Sequence, residues 1–124
     1  MDRSEIDHDR CAELLEQATE PIVVPAPVIV EVDWLAAQRL QPTAVLSLLA
    51  DIQAARVQVE ELRPADYKRC RELIDRYGEL RLGFVDAAVM SVVERLGETK
   101  LATLDHRHFR VVRPRHVPAL RLLP

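Results

Sequence analysis

A chain of 124 residues with 48% apolar content is long enough for one domain with a real core, and should fold without metal or disulfide support. An aromatic content of 4% argues against base stacking on an aromatic platform as a binding mode. The net charge of −3 is unevenly spread: residues 106–124 contain Arg107, Arg110, Arg113, Arg115 and Arg121 and no acid, while residues 1–105 carry 12 basic and 20 acidic side chains. Such a tail could grip a polyanion beside an acidic pocket, or form the solvated surface of a C-terminal strand.

Asp7 and Asp9 precede a helical stretch, Arg10 to Ala18, whose Cys11, Leu14, Leu15 and Ala18 follow helical spacing. Ile22-Val23-Val24, between Pro21 and Pro25, reads as a buried strand. Pro27 suits the first turn of a helix running from about Val28 to about Leu40; its first half is apolar nearly all round, which predicts deep packing. Pro42 and Thr43 start a further helix carrying Val45, Leu46, Leu48, Leu49 and Ile52, and Arg56 to Leu62 alternates like a strand. Pro64 opens an amphipathic helix reaching Tyr77, with Gly78 as its C-terminal cap. Gly83 precedes the next helix and Gly97 closes it; Lys100 to Leu104 and Ala119 to Leu122 read as strands. Alternating strands and helices imply an α/β fold with a mostly parallel sheet covered on both faces. Cys11 and Cys70 lack metal-ligand spacing and read as reduced, half-buried thiols; with no 18-residue apolar run and no signal-peptide pattern, the expected location is cytoplasmic.

Three acids stand out. Asp86 lies between Val85 and Ala87, and its helical face continues as Val89, Met90 and Val93. A carboxylate there is either functional or a first-turn acid on the helix dipole. Glu31 sits among Val28, Trp34, Leu35 and Pro27, as a functional acid or one half of a buried pair with Arg39 or Arg81; Asp33, about 200° round the same helix, is the second choice. Asp105 follows Leu101-Ala102-Thr103-Leu104 at a strand's carboxyl end, where turn-forming aspartates are also common. Gathered at one sheet edge, the three would suit magnesium or manganese, which prefer carboxylate oxygen and water to thiolate. Such a cation would also relieve their mutual repulsion.

His106 and His108, flanking Arg107, lack a third nitrogen or sulfur ligand and fit phosphate contact or the surface better than zinc; Asp7-His8-Asp9 reads as a helix N-cap region. Three glycines, Gly78, Gly83 and Gly97, leave no P-loop or dinucleotide fingerprint, and there is no Gly-x-Ser-x-Gly elbow. A phospho-acceptor receiver domain needs a lysine ending its last strand; Lys68 and Lys100 are the only lysines, and Lys100 starts a strand.

The segment YGELRLGFVDAAVMSVVERLGETKLATLDHRHF resembles the C-terminal half of PIN-domain ribonucleases, most closely the VapC-type toxins of toxin–antitoxin pairs. IVVPAPVIVEVDWL resembles their strand followed by the helix carrying an acidic Glu. The resemblance runs through residues 7–124 and implies a three-layer α/β/α domain spanning residues 1–124. It implies that Glu31, Asp86 and Asp105 bind Mg2+ or Mn2+ and act catalytically, with Thr103 beside the last acid. Endonucleolytic cleavage of structured RNA of the transfer or ribosomal class, a homodimer and a cognate antitoxin are implied as well; from the basic tail after Asp105, Arg107 and Arg110 would hold phosphates. The family begins with a central strand ending in Asp-Thr or Asp-Ser, and Met1-Asp2-Arg3 resembles the loop beyond it. The expectation is therefore a start placed at an internal methionine, or a shortened chain. Its sheet would lack the middle strand and fourth acid, and stability and activity would be low. The alternative is a catalytically impaired PIN-domain protein that binds antitoxin or RNA without cleavage.

Overall fold

A computed structural model describes residues 22–39, 41–102, 113–116 and 121–123. The expected Arg10–Ala18 helix and Cys11 lie outside the described residues. Strand β1, Ile22–Pro25, pairs in parallel with β2, Val57–Glu60, in the register Ile22↔Val57 to Pro25↔Glu60. Between them run α1, Ala26–Gln38, and α2, Thr43–Gln53. This is a crossover: two parallel strands cannot be joined by a hairpin, so the connection goes over one face of the pair. Pro25 ends β1 in an extended conformation (ψ 138°) and serves as N-cap of α1, and Pro27 falls in the first turn as expected.

The carboxyl end of α2 closes with two backbone bonds, Arg56 N–H to the Asp51 carbonyl (2.9 Å) and Ala55 N–H to the Ile52 carbonyl (3.1 Å). This is a Schellman closure, with alanine at the left-handed position, φ 63°. Helix α3, Pro64–Arg76, starts on a proline, and the Asp66 carboxylate accepts the Arg63 N–H at 2.9 Å.

Gly78 is not the expected left-handed cap. After Tyr77 the chain makes a 3-10 turn, Gly78–Leu80, and the left-handed residue is Arg81, φ 55°. Tyr77 packs at the edge of the core and Leu82 is buried within it, so the reversal waits until Leu82 can reach the interior. The i→i+3 bonds from Leu80 to Tyr77 and from Arg81 to Gly78, each 3.0 Å, meanwhile occupy the Tyr77 and Gly78 carbonyls.

Helix α4, Phe84–Leu96, ends as expected at Gly97, φ 66°, with a second Schellman pair: Gly97 N–H to Glu94 (3.1 Å) and Glu98 N–H to Val93 (3.0 Å). It leads into β3, Lys100–Ala102, which pairs in parallel with β4, Arg121–Leu123, from Lys100↔Arg121 to Ala102↔Leu123. Among the described residues the strands thus form two parallel pairs, β1–β2 and β3–β4.

The core lies between α3 and α4: Cys70, Leu73, Leu82, Ala87, Ala88, Met90 and Val93 are buried together, with Leu62, Val89 and Leu101 around them. Ala87 and Ala88 let α3 approach α4 closely, and Leu73 and Met90 fill the volume between. The deep packing expected of α1 holds only in part. Ala36 is its single buried residue, and Val30 (71% exposed) and Trp34 (60%) face outward, as do Leu46 and Leu49 of α2. A helix apolar all round can bury only the sides that meet β1, α2 and α4; among the described residues none covers its outer stripe.

Candidate functional site

Glu31 lies in the second turn of α1, which rises directly from the carboxyl end of β1. Asp86 is the third residue of α4. Helix α1 packs against α4, and α4 also packs on β1, so both acids belong to one packed unit. Both are half-buried, and neither is an isolated charge. The apolar face that Asp86 opens is buried at Met90 and Val93, while Asp86 itself, in the first turn, is only partly buried. Asp33, the second choice on α1, is exposed.

The Schellman turn at Gly97 sends the chain from α4 into β3, whose Leu101 packs against the core. Thr103, Asp105, His106, Arg107, His108 and Arg110 follow β3 and lie outside the described residues. Among the described residues no three His, Cys, Asp or Glu side chains gather as metal ligands.

Toward the other end of α4 from Asp86 stands a scaffold of ion pairs that the sequence had not disclosed. Asp66 is 3% exposed and takes both oxygens to Arg95 Nε, at 3.2 and 3.1 Å. The same guanidinium donates to Glu60 Oε1 at 2.8 Å and to the Glu61 carbonyl at 3.1 Å. One arginine therefore ties the end of β2, the start of α3 and the last turn of α4. The hydrogen bond to Glu60, with Asp66 beside it, raises the Arg95 pKa above its usual value. Arg69 forms the second clamp, a two-pronged contact with Glu94 at 2.8 and 3.0 Å, and its pKa is raised chiefly by that bond. Asp66 carried a local signal, a first-turn acid after Pro64. Arg69 and Arg95 carried none, because their partners on other elements lie 25 to 35 residues away.

Part of the basic tail is absorbed by this scaffold. The Arg115 backbone N–H donates to Glu94 Oε2 at 2.6 Å, its guanidinium pairs with Glu72, and the Arg113 N–H donates to the Tyr77 hydroxyl at 3.1 Å. Arg115 is thus an intramolecular strap holding residues 113–116 on α3 and α4. Cys70 is buried at 3% exposure, deeper than expected, with Sγ 3.5 Å from Ser91 Oγ; burial pushes its thiol pKa up.

Comparison with known proteins fits this arrangement. The chain is 28% identical over 114 residues to ribonuclease VapC26 of Mycobacterium tuberculosis (strain ATCC 25618 / H37Rv), covering 92% of this chain and 84% of that protein. Its fold is similar to the crystal structure of Mycobacterium tuberculosis VapC20, a sarcin-ricin loop cleaving toxin. The TM-score is 0.69 at 22% identity, over 81% of this chain and 77% of that one. The family description that matches residues 1–114 is that of the PIN domain. With a parallel strand pair joined by a helical crossover and acids on two packed helices, the expected PIN-like α/β fold is borne out, and the chain belongs to the PIN domain family.

Proposed function

We propose that this chain is a metal-dependent endoribonuclease, the toxin of a toxin–antitoxin pair, and that Glu31, Asp86 and Asp105 are its catalytic and metal-binding acids. The observation that supports this most is the packing of α1 on α4, which brings the helices of Glu31 and Asp86 together. The ribonuclease relative over nearly the whole chain gives the reaction class. Half-buried carboxylates are the donor set that Mg2+ or Mn2+ prefers. A cation of this kind supplies Lewis acidity, activating water and offsetting charge on the phosphoryl group. The protein's part is to hold three acids in one geometry, with Arg107 and Arg110 binding phosphates and Thr103 supporting Asp105.

The substrate class proposed is structured RNA, transfer or ribosomal; the toxin of similar fold is described as cleaving the sarcin-ricin loop. The proposed partners are a cognate antitoxin and a second copy of the chain. Exposed Val30, Trp34, Leu46 and Leu49 support an apolar protein interface on α1 and α2. The proposed location is the cytoplasm; no helix among the described residues is long and apolar enough to cross a membrane.

The test is cleavage of a labelled structured RNA with Mn2+, beside Asp86→Asn and Asp105→Asn. Both substitutions should abolish cleavage while leaving the circular dichroism spectrum unchanged. Cleavage that survives both substitutions and excess chelator would refute the mechanism. Antitoxin capture without any cleavage by the parent chain would favour a binding protein instead.

A further inference from the structure

Two of the five aromatic residues meet on the surface. Tyr67 of α3 and Phe84, the first residue of α4, lie with ring centroids 6.3 Å apart and planes within 10° of parallel. Neither is part of the core: Tyr67 is 53% exposed and Phe84 44%. Two large rings stacked on each other and both left exposed keep outer aromatic surface in solvent, where the plain outcome of folding would turn at least one inward.

The surroundings are cationic. Arg63, Tyr67 and Arg71 follow one another at four-residue spacing, so two exposed guanidinium groups flank the tyrosine along one side of α3. Lys68 is next to it, and Arg81 precedes Phe84 in the left-handed turn. Lys68, Arg71 and Arg81 form no ion pair with a described residue, unlike Arg69, Arg95 and Arg115. The exposed acids Asp75 and Glu79 lie farther along, toward the end of α3 and the 3-10 turn. Phe84 and Asp86, two residues apart on α4, point about 200° apart round the helix, so the rings and the acid lie on different faces of it.

We propose that Tyr67 and Phe84 form a stacking platform for an unpaired RNA base, with Lys68, Arg71 and Arg81 holding the adjoining backbone. A polyanion with flat bases is favoured over a protein partner because the face pairs aromatic rings with cations that have no ion-pair partner among the described residues, and not with an apolar stripe as on α1 and α2. The two rings are positioning residues and take no part in the chemistry. The low aromatic content had argued against such a platform, but two rings suffice for one base. The proposal rests on the ribonuclease reading, and its test separates the two.

The full chain is titrated, with chelator present, into short single-stranded RNAs each carrying one 2-aminopurine at a different position. The parent chain should change the fluorescence at one position as it stacks. Tyr67→Ala and Phe84→Ala should each weaken binding by about tenfold and abolish the change, whereas Tyr67→Phe should keep both. If Phe84→Ala does not melt cooperatively, Tyr67→Ala decides, since that side chain lies on the surface. Unchanged RNA affinity in Tyr67→Ala, no fluorescence change at any position, or loss of antitoxin binding with RNA binding intact would each overturn the platform. Stacking that persists in a chain showing no cleavage removes the nuclease reading alone; normal cleavage and RNA binding by Tyr67→Ala remove the platform alone.

Discussion

Replacing Arg95 by methionine removes a guanidinium that holds Asp66, Glu60 and the Glu61 carbonyl while keeping the methylene stem that packs on α4. The cost is set by what stays behind. Asp66 has a side chain only 4% exposed, and without Arg95 it keeps one described partner, the Arg63 N–H at 2.9 Å. Breaking a buried pair by removing one partner typically costs 3–5 kcal/mol, because the remaining charge is stranded. Arg95 is itself 17% exposed, and water entering its place would screen part of the loss, so about 3 kcal/mol is expected. In a chain of this size that lowers Tm by about 10 °C. Urea denaturation followed by circular dichroism measures it, with Asp66→Asn and the double variant completing a thermodynamic cycle. The double variant should lose clearly less than the two single losses added. A loss below about 1 kcal/mol for Arg95→Met, or strict additivity, would refute the assignment of this network as the tie between β2, α3 and α4.

The two Schellman closures make opposite predictions. Gly97→Ala places a side chain at φ 66° and should destabilise by about 1 kcal/mol, whereas Ala55→Gly relieves φ 63° and should stabilise by roughly 0.5 kcal/mol, both read from urea midpoints. Burial raises the Cys70 pKa above the ordinary thiol value of 9.0, so above that pH the unfolded chain loses a proton that the folded chain keeps. Stability through this group is complete below about pH 9 and falls as pH rises toward the folded pKa, and the stability gap between the parent chain and Cys70→Ala should narrow from pH 8 to pH 10. A constant gap would contradict that reading. Calorimetric titration of Mn2+ should show weaker binding in Glu31→Gln and Asp86→Asn with Tm held within a few degrees; unchanged affinity in both would remove these residues from the metal site.

Local pattern alone carried most of the elements. The β-branched run between prolines marks β1, Pro27 and Pro64 mark helix starts, and Gly97 marks a stop, because each is decided by the chain's own backbone and neighbours. Glu31 and Asp86 were legible for a similar reason: a charge within an apolar helical face is conspicuous without knowing what it faces. What the tertiary structure decided is pairing at a distance. Leu82 needs a buried place, and that moves the left-handed turn from Gly78 to Arg81. Arg95 finds Asp66 and Glu60 only when α4 ends beside the start of α3, and Tyr67 meets Phe84 only when α3 crosses α4. Such contacts depend on how finished elements pack, and side chains 17 to 35 residues apart leave no periodic trace in the chain that carries them.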